Sequence, residues 1–292
     1  MESIDHYYPP TIPEKKINHN SYFEELALPA TARGPDRIAE LLNRLHPERV
    51  NIISAESLQN VDPFHVAKIF EHCEVQVVCY LRHEFDMLVS GHAQSVKASG
   101  AVQSIDSYIE ARYRNLDYNA FLTSWAKAFD DRLRVVVYHP AKFHNESIVS
   151  DFMHRFVSDP PSDVLTTQNQ WRNPSLTRTT LPYVLHINRN PDQFPLPAYL
   201  TARERVVGFG KLSQKYPGRL RLPLRWRERL GPQFQASQQT WARRYLDHPA
   251  PFEYAAYPAS TTDPALEEHT IHALHQEFLE VLQSMRGTQE MT

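Results

Sequence analysis

The chain has 292 residues, of which 41% are hydrophobic and 22% charged, and a net charge of −3. That balance supplies a core and excludes wholesale disorder, and near-neutrality argues against a general nucleic-acid binder. No apolar run approaches the ~20 residues of a membrane span, and the N-terminal MESIDHYYPP lacks the apolar centre of a secretion signal. A soluble, cytoplasmic protein without a transmembrane segment is expected. Cys73 and Cys79 are expected to be buried free thiols of a reducing compartment. Eight glycines against 22 prolines leave little material for phosphate-cradling loops.

In chain order, residues 1–34 read as proline-rich and irregular. Pro35 and Asp36 open a helix with apolar Ile38, Leu41, Leu42 and Leu45 on one face. Val50–Ser54 reads as a short strand, and Asp62-Pro63 starts a helix running to Cys73. A strand over 75–81 follows, then a helix carrying Ser90, then a helix capped by Ser104. Tyr118, Phe121, Leu122, Trp125 and Phe129 recur at helical spacing. Leu133–Tyr138 is a strand and Ser147–Val157 a helix. The later half reads as helical, at roughly 178–190, 198–215, 234–246 and 264–286. This alternation predicts an α/β fold with a parallel sheet. We expect one domain over 1–292, with an α/β core at 35–160 and a mainly helical extension at 161–292.

The segment VQVVCYLRHEFDMLVS, Val75 to Ser90, carries the chemistry. A buried strand ends abruptly at Arg82, and a helix then brings Ser90. Ligands of α/β proteins bind at such strand ends, and helix N-termini there favour phosphate. Arginine offers an oxyanion a planar fork of donors, and serine adds a hydroxyl. The carboxylate of Glu56 follows the earlier strand and suits removal of a proton from an acceptor hydroxyl; Ser54 stands beside it.

The Arg-x7-Ser spacing after a strand resembles the 3′-phosphate-binding motif of sulfotransferases that use 3′-phosphoadenylyl sulfate (PAPS). NIISAESL, Asn51 to Leu58, is similar to the Ser-Ser-Glu segment of bacterial carbohydrate-type sulfotransferases, with Ala55 in place of the second serine. Asp117 to Phe156 resembles their Tyr-x3-Leu-x2-Trp, strand and Asp-Phe block. Asn173 to Asn190 and Ser237 to Leu246 are similar to weaker C-terminal segments.

The resemblance implies a P-loop-like three-layer α/β fold. It implies transfer of a sulfuryl group from PAPS to a hydroxyl or amine of a carbohydrate or glycolipid. Arg82, Ser90 and Ser54 would hold PAPS or adenosine 3′,5′-bisphosphate, Glu56 would be the acid–base group, and no metal is needed. One departure stands out: the family's Lys-x-Gly-Thr-Thr-like loop for the 5′-phosphosulfate is absent from these 292 residues. HYYPPTIPEKKINHN resembles the region after that loop, so the N-terminal strand is expected to be missing. A non-catalytic binding or partner protein that kept the fold is the alternative expectation. A kinase or NTPase reading lacks a Walker A sequence, and a glycosyltransferase reading lacks an Asp-x-Asp motif at a strand end.

Other features read as structural. His269, His272 and His275 suggest a solvated helix face, and His65 and His72 a surface position. His83 and His92 flank the Arg/Ser motif, and His83 is a weaker candidate for a ligand contact. Arg219, Arg221, Arg225, Arg227 and Arg229 suggest a solvated basic face, with an anionic ligand as the rival reading. The aromatic set around Trp125 reads as core.

Overall fold

The computed structural model describes residues 6–7, 23, 34–157, 175–198, 200–247, 250–261 and 266–289. Most of the irregular stretch expected over residues 1–34 lies outside them, as does residue 264, where the last helix was expected to begin. The described residues are mixed α/β, mostly helical, with small two-stranded sheets. They fall into two compact units. One is drawn from Met1–Tyr80 and Phe121–Gln170, the other from Leu81–Ala120 and Trp171–Thr292.

In the first unit, β1 (His6–Tyr7) lies parallel to β2 (Val50–Asn51). The strand expected over 50–54 stops at Asn51, because its described partner supplies two residues. Asn51 fixes the preceding loop by accepting the His46 N–H at 2.9 Å and donating to the His46 and Arg49 carbonyls at 2.9 and 3.0 Å. Helix α1 (Gly34–Asn43) buries Ile38 and Leu41. Helix α2 (Pro63–Ile69) begins as expected: the Asp62 carboxylate accepts the Phe64 N–H at 3.0 Å, and proline takes the first helical position. It ends before Cys73, which is exposed rather than buried.

Strands β3 (Val77–Leu81) and β4 (Leu133–Val137) pair with each other. Between them come α3 (Glu84–Ser99), α4 (Ile105–Arg112) and α5 (Tyr118–Phe129). Leu122, Trp125 and Phe129 of α5 are core residues, with Trp125 and Phe129 stacked at 5.6 Å. Helix α6 (Ile148–Phe156) carries Asp151, which accepts from Tyr80 Oη at 2.9 Å, Arg155 Nε at 2.8 Å and the His144 backbone N–H at 3.2 Å. Burial opposes its ionisation, but these donors hold the carboxyl below the ordinary range.

The second unit packs α3 with α7 (Thr180–Arg189), α8 (Ala202–Lys215) and α10 (Glu268–Gln289). Its core joins Val96, Tyr183, Val184, Phe209, Leu212, Leu274 and Phe278, with Phe209 and Phe278 stacked at 4.3 Å. Gly208 permits this approach, since a Cβ there would meet Phe278 and Leu282 at 2.9 Å. Helix α9 (Leu224–Tyr245) starts well before the expected residue 234 and passes through Pro232. Two short strands, β5 (Leu222–Pro223) and β6 (Ala259–Ser260), pair in parallel. No helix among the described residues is long and apolar enough to cross a membrane.

Candidate functional site

The four residues marked in the sequence divide between the units: Ser54 and Glu56 belong to the first, Arg82 and Ser90 to the second. Ser54 lies in irregular chain beyond β2 and is exposed. Glu56 opens a short 3-10 turn, Glu56–Asn60, whose preceding residue Ala55 is extended at φ −148° and ψ 117°. The Glu56 residue is also exposed.

Arg82 directly follows the last residue of β3 and stands two residues before the start of α3. Its residue is half-buried. The Tyr118 hydroxyl donates to the Arg82 carbonyl at 2.6 Å. His83 is the N-cap of α3, its Nδ1 accepting the Phe85 N–H at 3.2 Å. The connection from strand to helix is thus tied on both sides of one peptide bond. Ser90, at the second turn of α3, donates its hydroxyl to the Asp86 carbonyl at 2.6 Å, which leaves lone pairs on the oxygen.

The surroundings of this turn were not legible in the sequence. The His83 ring lies among Phe85, Phe252, Tyr254 and Tyr257, with centroids 4.7–5.3 Å away. Burial lowers its imidazole to about 4, the Asp86 charge opposing. His83 is therefore a helix cap within an aromatic cluster. Glu84, 1% exposed, accepts the Tyr254 hydroxyl at 2.7 Å. Burial pushes its carboxyl up to about 8, against the pull of that hydrogen bond. Asp86 accepts from Arg219 at 2.9 Å and from the Tyr257 hydroxyl at 2.6 Å. Burial, and after it Asp86, push the Tyr257 phenol up, while the Arg219 and then the Arg82 charge pull the other way. Two arginines of one unit, Arg82 and Arg219, thus bear on the entrance of α3.

The arginine run is the solvated basic face expected, with Arg219, Arg221, Arg225 and Arg229 exposed beside buried Leu222 and Trp226, and several of its members are paired. Arg225 donates through Nε to Asp106 at 2.9 Å, and Arg229 reaches Glu110 at 2.8 and 3.2 Å. Arg227 donates to the Tyr257 carbonyl at 3.2 Å. With the Arg219–Asp86 pair, these bonds tie the chain from 219 to 229 onto α3, α4 and the 257 turn. His275 departs from expectation: it is 7% exposed, with Nδ1 3.1 Å from the Tyr183 hydroxyl, whereas His269 and His272 are exposed. His92 is buried and bonds the Gln103 carbonyl at 3.0 Å. No group of three or more His, Cys, Asp or Glu side chains able to hold a metal occurs among the described residues.

No protein-family model matches this chain, and no solved structure matches it. A relative in Archaeoglobus fulgidus, itself described as an uncharacterized protein, is 26% identical over 166 residues, covering 54% of this chain and 45% of that protein. The chain therefore spans less than half the length of that relative, whose name states no activity.

The functional residues that the sequence did not reveal are tyrosines. Tyr118 was read only by its ring and Tyr254 and Tyr257 were not singled out, yet their hydroxyls bond the strand end and the two acids of the first helical turn. The one available signal was the position of Tyr118, immediately after the helix-capping Asp117.

Proposed function

We propose that this protein is sulfotransferase-like and binds the 3′-phosphate of a PAPS-type nucleotide at Arg82 and Ser90. The observation that supports the reading best is local. An arginine directly follows β3, in the two-residue link to α3, and the spacing to Ser90 resembles that of the sulfotransferase motif. A guanidinium at a strand end and the N-terminal N–H groups of a helix suit a phosphate dianion.

In this reading the fold is P-loop-like, with three layers, and the protein works in the cytoplasm. The acceptor is a hydroxyl or amine of a carbohydrate or glycolipid. Its oxygen or nitrogen forms a bond to sulfur, the sulfur–oxygen bond to the 5′-phosphate breaks, and the acceptor proton passes to a carboxylate, the role that the resemblance gives Glu56. Protein cations and dipoles supply the electrostatic stabilisation, as in phosphoryl transfer.

A second reading rests on the missing Lys-x-Gly-Thr-Thr sequence. Losing one preorganised donor typically costs ~3–4 kcal/mol of barrier, so a chain without the whole loop suits nucleotide binding without turnover.

Calorimetric titration with adenosine 3′,5′-bisphosphate tests both readings. Micromolar binding, about −8 kcal/mol, that is strongly weakened in Arg82→Ala is the expected result. Equal binding by the variant refutes the site, and no binding by the folded wild type refutes the reading. Binding without sulfuryl transfer from PAPS across a panel of carbohydrate acceptors favours the non-catalytic form.

A further inference from the structure

The strand end that carries Arg82 is held by a residue from another helix. Tyr118 is the first residue of α5, and its hydroxyl donates to the Arg82 carbonyl at 2.6 Å. The phenol is itself fixed. Its residue is 9% exposed, and its ring meets Trp241 edge-on, with centroids 6.3 Å apart and planes at 80°.

The residue before it, Asp117, fixes the helix start from which Tyr118 projects. Asp117 Oδ1 accepts the backbone N–H groups of Asn119 and Ala120 at 3.0 and 3.2 Å and the Ser237 hydroxyl at 3.1 Å. All of these residues lie in one compact unit with Arg82 and Ser90.

A carbonyl fixed from outside fixes the plane of the peptide that follows it. The 82–83 peptide is also held at its far end, because His83 caps α3. Two anchors thus bracket the one peptide plane that sets the backbone angle at Arg82, and with it the direction in which the side chain leaves the backbone. A donor must be held within a fraction of an ångström to bind a charged group well, and small misplacements are costly.

We propose that Tyr118 is a positioning residue for Arg82, ordering the guanidinium for the phosphate without touching the ligand. The inference rests on the nucleotide reading above and adds to it a residue that acts through the backbone.

The test is a double-mutant cycle read with two ligands. Wild type, Tyr118→Phe, Arg82→Ala and the double variant are titrated with adenosine 3′,5′-bisphosphate and with adenosine 5′-monophosphate, which lacks the 3′-phosphate. Phenylalanine keeps the ring against Trp241 and removes only the hydroxyl, so circular dichroism should be unchanged.

Tyr118→Phe is expected to weaken the bisphosphate about tenfold, the equivalent of 1.4 kcal/mol, and to leave the monophosphate unaltered. In the Arg82→Ala background the same substitution is expected to have no effect on either ligand. Equal weakening of both ligands would mark a general structural role and overturn the inference. So would an unchanged preference for the bisphosphate, or the same loss with and without Arg82. Each of these outcomes leaves the nucleotide reading standing, whereas a folded wild type that binds neither ligand removes both.

Discussion

Glu84→Gln isolates the buried acid at the head of α3. The wild-type carboxyl is pushed from an ordinary 4.5 up to about 8, chiefly by burial. The unfolded chain releases this proton near the ordinary value, while the folded chain keeps it until about pH 8. Between those values the unfolded state binds fewer protons, so stability falls as pH rises, by about 1.4 kcal/mol per unit. His83 acts in the other sense: burial lowers it from 6.5 to about 4. Below its ordinary value the unfolded chain takes up a proton that the folded chain refuses, so stability falls as pH drops.

The two slopes offset each other from roughly pH 4.5 to 6.5, and the Glu84 slope alone remains from there to about pH 8. Glutamine keeps an amide oxygen for the Tyr254 hydroxyl and abolishes the upper slope. The variant should therefore gain on the wild type by about 4 kcal/mol between pH 5 and pH 8. Urea denaturation at a series of pH values measures this. Pulsed hydrogen exchange in peptides covering Glu84–Ser99 confines the reading to this unit. Stability curves that run parallel for the two proteins across that range would refute the assignment of a raised pKa to Glu84.

Three further outcomes follow from packing and pairing. Gly208→Ala should destabilise the second unit by about 1–3 kcal/mol, because the new methyl group meets Phe278 and Leu282 at 2.9 Å; thermal melts of the two proteins decide it. Arg225→Ala should cost less than about 1 kcal/mol in the same assay, because the pair it breaks with Asp106 is half-exposed. Asp151→Ala should cost about 3 kcal/mol, since it leaves the Tyr80 hydroxyl and the His144 N–H unpaired; a loss under 1 kcal/mol in urea unfolding would show that water satisfies them.

What was legible in the sequence was local. Asp62, Ser104 and Ser147 cap helices where their short polar side chains predict caps. The 118–129 periodicity became a helix with those bounds. The errors have physical causes. Pro232 lies just ahead of the expected start near 234, and proline removes a backbone donor and costs about 3 kcal/mol in a helix interior. Yet Trp226, Leu230, Phe234, Gln238 and Trp241 form one buried stripe across it, while Pro232 faces solvent. Burial of that stripe outweighs the missing bond.

The histidine triplet failed for a geometric reason. At about 100° per residue, His275 lies well around the helix from His269. It falls among Ile271, Leu274 and Phe278, the buried row of α10. The basic run was visible as charge, but its partners Asp86, Asp106 and Glu110 are more than a hundred positions away, and no local pattern announces them.

The candidate site shows the same limit at finer grain. Arg82 and Ser90 could be placed from sequence because a strand end and a helix are local events. The groups that orient them come from elsewhere along the chain: Tyr118 on α5, Tyr254 and Tyr257 beyond α9, and Arg219 ahead of β5. A tyrosine's ring announces itself by periodicity, whereas its hydroxyl finds a partner only in three dimensions. Here the hydroxyls meet one carbonyl and two carboxylates within five residues of chain, Arg82 to Asp86. Any anion that approaches Arg82 therefore enters a turn already ordered by neutral donors, in which Glu84 keeps its proton at neutral pH. The local charge is accordingly more positive than the sequence RHEFD suggests, since one of its two acids is protonated there and the other is matched by Arg219.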